Sequence, residues 1–164
     1  MRRKDKEIVN IRDRIKIINR CKVCRLGLSE NNQPYVVPLN YGYSFEEGVL
    51  TLFFHGARNG KKVEVMKNNN RACFEIDCDN ELIEGEIPCK SSYVFKSVIG
   101  FGEIVIFKNE EEKNDALKKI MKHQTGREME DDFTGEELKN VMVYKMEVKE
   151  FTGKQKEFPM RSKK

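Results

Sequence analysis

The stretch FFHGARNGKKVEVMKNN, residues 53–69, decides how this chain is read. A dense apolar run from Leu50 to Phe54 stops at His55. Small and cationic residues follow: Gly56, Ala57, Arg58, Asn59, Gly60, Lys61 and Lys62. Then Val63, Val65 and Met66 predict a short helix ending at Asn68 to Asn70. A buried strand thus enters a helix through a glycine-bearing, basic loop. Such a loop can offer backbone N–H groups and a helix dipole to an anion, and Gly56 and Gly60 permit close backbone approach. Lys61 and Lys62 sit in the first turn, where the helix dipole disfavours cations. A bound phosphate removes that conflict; a plain charged turn leaves it in place. The loop alone does not decide between these two. It is not a nucleoside triphosphate loop of the G-x-x-x-x-G-K-[ST] kind. Gly56 and Gly60 enclose only three residues, and Lys62 stands where Ser or Thr would hold magnesium.

Outward from this stretch, the rest of the chain is strand-rich. VCRLGL and PYVVPLNYGY, separated by the polar cluster SENNQ, predict a hairpin. Pro38 predicts an edge, a bulge or a break in the second run. A break at Pro38, Leu39, Asn40 and Tyr41 would free backbone groups for a planar ligand. Tyr41, Tyr43, Phe53 and Phe54 either line an apolar slot there or belong to the core. VLTLFF, RACFEIDC, SYVFKSVIGFGEIVIF and NVMVYKMEVKEFTG bring the strand runs to six, and the two glycines of the longest predict a bend or bulge. Helical spacing marks Lys6 to Arg20 and Glu110 to His123, and Thr134-Gly-Glu-Glu reads as a helix start. His123 reads as a surface or helix-capping residue. The pattern predicts a mainly β protein with helices (α+β), an antiparallel barrel with helical additions.

The chain has 164 residues, 38% hydrophobic and 35% charged, which suits one domain with a sizeable core. Residues 1–154 form that expected domain and 155–164 a basic tail. The net charge of +4 comes from the ends, MRRKDK and KQKEFPMRSKK, while Glu81 to Glu86 and Glu128 to Asp132 are acidic. No basic stripe is interleaved with aromatics, so nucleic acid is not an expected partner. The charged start lacks the apolar stretch of a signal peptide, and no apolar run approaches the ~20 residues of a membrane span. The expected location is cytoplasmic, without membrane association. Five cysteines, an odd number, then read as reduced thiols. Cys21 and Cys24 form a lone C-x-x-C, and Cys24 and Cys73 read as small hydrophobes within strands rather than zinc ligands; no metal is expected.

Taken in order, VCRLGL, PYVVPLNYGY, VLTLFFHGARNGKK, YVFKSVIGFGE and the terminal EFTGK resemble the flavin-binding split-barrel proteins. More narrowly they resemble the Nim group, nitroimidazole-resistance-type proteins related to pyridoxamine 5′-phosphate oxidase. The resemblance runs from about Ile8 to Lys154. It implies a six-stranded antiparallel split β-barrel that forms a homodimer with flavin at the interface, usually FMN, with FAD also compatible. It implies that Pro38, Leu39, Asn40 and Tyr41 face the flavin ring. His55, Gly56 and Ala57 would lie beside it, Lys61 and Lys62 would hold the phosphate, and Ser97 would be close by. The arginine-rich C-terminal motifs of true pyridoxamine phosphate oxidases are not evident; only Arg161 stands in the tail. The implied activity is therefore flavin-dependent reduction of a small-molecule substrate such as a nitroaromatic compound, with His55 as the candidate catalytic residue. A flavin carrier or sensor without turnover is the alternative.

Overall fold

The computed structural model describes residues 3–158. Two tight hairpins begin the sheet. β2 (Val23–Glu30) and β3 (Gln33–Asn40) are joined by Asn31 and Asn32, both left-handed with φ of 48° and 62°. β4 (Gly42–Glu46) and β5 (Val49–Ala57) are joined by Glu47 and Gly48, also left-handed. Two-residue turns of this kind match the right-handed twist of the strands they connect. Three long strands follow: β6 (Arg71–Ile83), β7 (Ser92–Ile106) and β8 (Val141–Lys156). The antiparallel order is β3-β2-β6-β7-β8-β5-β4, and the short β1 (Glu7–Ile8) adds to the far end of β8.

The sheet therefore has eight strands rather than six. One of the additional strands is β1. The other arises because PYVVPLNYGY splits into β3 and β4. The split falls at Tyr41, not at Pro38, which stays within β3 opposite Arg25. Pro38 is tolerated because β3 ends the order, and an edge strand has one side on which an N–H needs no partner. The predicted bend in β7 is present. Its pairing with β8 shifts between Phe101 and Gly102, where a Cβ on Gly102 would strike the Glu147 carbonyl oxygen.

The inner face of the curved sheet is apolar: Leu26, Leu52, Phe54, Phe74, Ile76, Val98, Tyr144 and Met146 are all buried. α1 (Ile11–Arg20) and α2 (Lys61–Asn68) add Ile17, Ile18, Val63, Val65 and Met66 to this core. α1 starts later than its periodicity suggests. Asn10 caps it by accepting from the Arg12 amide at 2.9 Å, and Ile8 is spent on β1. A second apolar cluster joins Phe53, Phe107 and Val143 to α3 (Glu110–Thr125) and α4 (Gly135–Asn140). The start expected at Thr134 is a capping box with Glu137.

His123 is buried rather than superficial. Its Nδ1 lies 2.8 Å from the Tyr41 carbonyl oxygen and its Nε2 3.0 Å from that of Asn19. β8 continues through Gln155 and Lys156, so the first residues of the expected tail are strand. The rest of that tail from 159 to 164, and residues 1–2, lie outside the described residues. Among the described residues no helix is long and apolar enough to cross a membrane.

Candidate functional site: the corner between β5 and α2

β3 and β4 part company at Tyr41. β4 pairs with Val49 to Phe53 of β5 and then ends, so Phe54 to Ala57 have no strand partner on that side. The facing edge of β3 is unpaired too. The barrel is therefore open between these two edges. α2 begins at the mouth of the opening, directly after β5.

Gly60, the residue preceding α2, has φ 118°, a conformation that favours glycine, and no side chain caps the first turn. The Gly60 carbonyl accepts from the Val63 and Glu64 amides, which leaves the Lys61 and Lys62 amides without an intrahelical acceptor. Lys62 folds back over β5, and a Cβ on Gly56 would collide with its Nζ. Lys61 reaches the other way and sets its Nζ 5.1 Å from the centre of the Tyr35 ring on β3. The two lysines thus bracket the opening from above. Among the described residues, no carboxylate lies in ion-pair range of either. Arg58 anchors the loop, with its guanidinium donating to the Lys139 carbonyl at the end of α4, at 2.5 Å.

His55 is exposed on β5 opposite Val143. Partial loss of hydration, and then the Lys62 ammonium, hold its imidazole below the usual histidine range. It is therefore predominantly neutral at pH 7, with one ring nitrogen available as an acceptor and the other as an N–H donor.

The sequence-predicted residues divide into three groups. His55, Gly56, Ala57, Lys61 and Lys62 come together at the corner. Pro38, Leu39 and Asn40 lie on the β3 edge of the same opening; Asn40 fixes the strand end by donating to the Lys22 carbonyl at 3.1 Å and to Gln124 Oε1 at 3.2 Å. Tyr41 does not face the opening. Its side chain is fully buried, and its hydroxyl donates to the Ile18 carbonyl at 2.6 Å with the Cys21 carbonyl 3.1 Å away. Only its backbone remains at the parting of the strands. Phe53 and Phe54 are likewise core, and Tyr43 turns its ring edge to His123. Ser97 is apart from the corner within one chain. His55 pairs with Val143 near the start of β8, whereas Ser97 pairs with Lys154 near its end.

Two contributors were not singled out from the sequence. Tyr35 is the aromatic that faces the lysines, and its position among alternating residues ahead of Pro38 was the available signal. The Arg58 anchor depends on a contact with a residue 81 positions away, for which local sequence carries no signal.

Residues 11–155 match the family model for pyridoxamine 5′-phosphate oxidase. The chain belongs to the pyridoxamine 5′-phosphate oxidase family. Within reach of this family fold is a candidate 5-nitroimidazole antibiotic resistance protein from Bacteroides thetaiotaomicron. It is 29% identical, with a TM-score of 0.78 over 91% of this chain and 86% of its own. The flavocytochrome Anf3 from Azotobacter vinelandii superposes with a TM-score of 0.79 at 17% identity, covering 97% of this chain and 73% of its own. An FAD-binding protein from Mesorhizobium loti superposes with a TM-score of 0.64 at 22% identity, over 91% and 96% of the two chains. These last two likenesses establish the shared split-barrel fold. No curated protein sequence matches the chain.

Proposed function

We propose that this family member binds a flavin, with FMN the best fit, and uses it to reduce a small substrate of the nitroaromatic class, 5-nitroimidazoles included. The observation that carries the reading is the corner itself: two lysines without carboxylate partners among the described residues meet an uncapped helix start beside Gly56. A phosphate monoester of charge about −2 suits that donor set. Lys62 and Lys61 would hold the phosphate, and the β3 edge from Pro38 to Asn40 would lie along the ring. A bound flavin would supply the electron transfer to the substrate. That flavins occur in relatives of this fold, among them the flavocytochrome and the FAD-binding protein, supports the reading.

The working unit is a homodimer. β7 turns Ile99 and Phe101 outward, 45% and 53% exposed, and Val36 on β3 is 62% exposed. With Gly27, Pro34 and Cys73, Phe101 and Val36 border a cleft of 610 Å³. Ser97 shares the outward face of β7 with Ile99 and Phe101, because alternate residues of a strand point the same way. A second copy docked on this face would bring Ser97 towards the site of its partner.

His55 is assigned the role of proton donor to the reducing substrate. Its depressed pKa sets the sign of the pH dependence: turnover rises as pH falls towards that pKa. His55→Ala should retain flavin, lose at least tenfold in nitroreductase turnover and lose the acid limb of the pH profile. Equal turnover in the variant contradicts the role. Flavin binding in the wild type with only background turnover favours the carrier reading instead.

A further inference from the structure

Cys21 does not pair with Cys24 of the C-x-x-C motif. Cys24 is fully buried in β2 and points into the core. Cys21, which follows the last turn of α1, faces β6. Its Sγ lies 3.4 Å from the Asp77 carbonyl oxygen, and Cys78, the next residue on β6, packs against the same core cluster as Cys21. The neighbouring side chains repeat this pairing, since Arg20 and Asp79 form an ion pair at 2.6 Å. The end of α1 therefore lies along Asp77 to Asp79 of β6, which sets Cys78 beside Cys21. Cys78 sits beside an irregularity: the pairing of β6 with β7 slips between Cys78 and Glu81, and Asp79 is left-handed with φ 59°. A local slip gives the Cys78 backbone the freedom that forming a covalent link requires. Of the two, Cys21 is buried and Cys78 half-exposed. Burial, and then the adjacent Cys78 sulfur, push the Cys21 thiol well above the usual cysteine range.

We propose that Cys21 and Cys78 are an oxidisable dithiol site that a hydroperoxide converts to a disulfide joining α1 to β6. The more accessible Cys78, as thiolate, attacks the peroxide oxygen. An S–O bond forms, the O–O bond breaks, and the leaving hydroxide takes up a proton to become water. The Cys21 sulfur then attacks the sulfenic sulfur. The S–S bond forms, the S–O bond breaks, and a second water leaves with the thiol proton. Two thiols give up two electrons and one hydrogen peroxide becomes two waters. The proposal does not depend on flavin.

The test uses the full chain, treated with hydrogen peroxide, alkylated under denaturing conditions and mapped by mass spectrometry without reduction. The expected result is a Cys21–Cys78 linked peptide, lost on treatment with dithiothreitol. In Cys21→Ser, Cys78 should halt as a sulfenic acid that dimedone traps; in Cys78→Ser, Cys21 should stay fully alkylatable. Full alkylation of both residues in the wild type, at a peroxide dose that oxidises the exposed Cys89, would overturn the proposal. So would Cys78 linked mainly to Cys89.

Discussion

Tyr144 carries the one buried side-chain polar atom among the described residues that has no hydrogen-bond partner. Its ring stacks on Phe54, with centroids 5.5 Å apart, and burial pushes its hydroxyl well above the ordinary tyrosine range. An orphaned hydroxyl costs roughly 1–3 kcal/mol relative to the same shape without it. Tyr144→Phe should therefore unfold at the same temperature or a few degrees higher; a clear fall in melting temperature would mean that the hydroxyl has a partner. Gly56 is constrained for the opposite reason, having too little room. A methyl there displaces the Lys62 ammonium, so Gly56→Ala should weaken FMN binding several-fold while leaving the thermal midpoint of the flavin-free protein nearly unchanged. Isothermal titration beside thermal unfolding separates these two effects.

At the scale of elements, β7 and β8 hold the molecule together, and their shared bend is a matter of one residue. A side chain at Gly102 meets the Glu147 carbonyl, a backbone atom that cannot rotate away. Gly102→Ala should cost roughly 1–3 kcal/mol, read by denaturant unfolding, which is the range expected when a tightly packed site is overfilled. A loss below about 0.5 kcal/mol would show that the bend does not need the glycine. This feature was legible because a glycine inside a β-branched run is a strong local signal. So were the hairpin at Asn31 and Asn32, the capping box at Thr134 and the entry to α2 at Lys61, all set by residues close in sequence. What was not legible depends on pairing at a distance. Tyr41 sits in a polar, aromatic stretch that suits a ligand slot, yet its hydroxyl is claimed by carbonyls of Ile18 and Cys21, about which its neighbours say nothing. His123 is hidden for the same reason, held by Asn19 and the Tyr41 carbonyl. Nor does local pattern reveal that Ser97 and His55 meet opposite ends of β8.

At the scale of the whole molecule, the candidate site is only half walled. The corner supplies the proposed phosphate donors and the β3 edge, while Lys61 and His55 remain exposed. The outward Ile99, Phe101 and Val36 are exposed apolar residues, the face proposed to meet a second copy. Phe101→Glu places a charge at the centre of that face. The expected outcome is a monomer by sedimentation at concentrations where the wild type is a dimer, with weaker FMN binding. A wild-type protein that sediments as a monomer with flavin bound would contradict the dimer.

The central claim is that Lys61 and Lys62 hold a flavin phosphate. The most direct test is titration of flavin-free protein with FMN, comparing the wild type with the Lys61→Ala/Lys62→Ala double variant. Each charge-assisted hydrogen bond contributes about 1.5–3 kcal/mol, so the double variant should bind at least a hundredfold more weakly at an unchanged melting temperature. Equal affinity in the two proteins, or a wild type that binds neither FMN nor FAD, would contradict the account and return the corner to a charged turn.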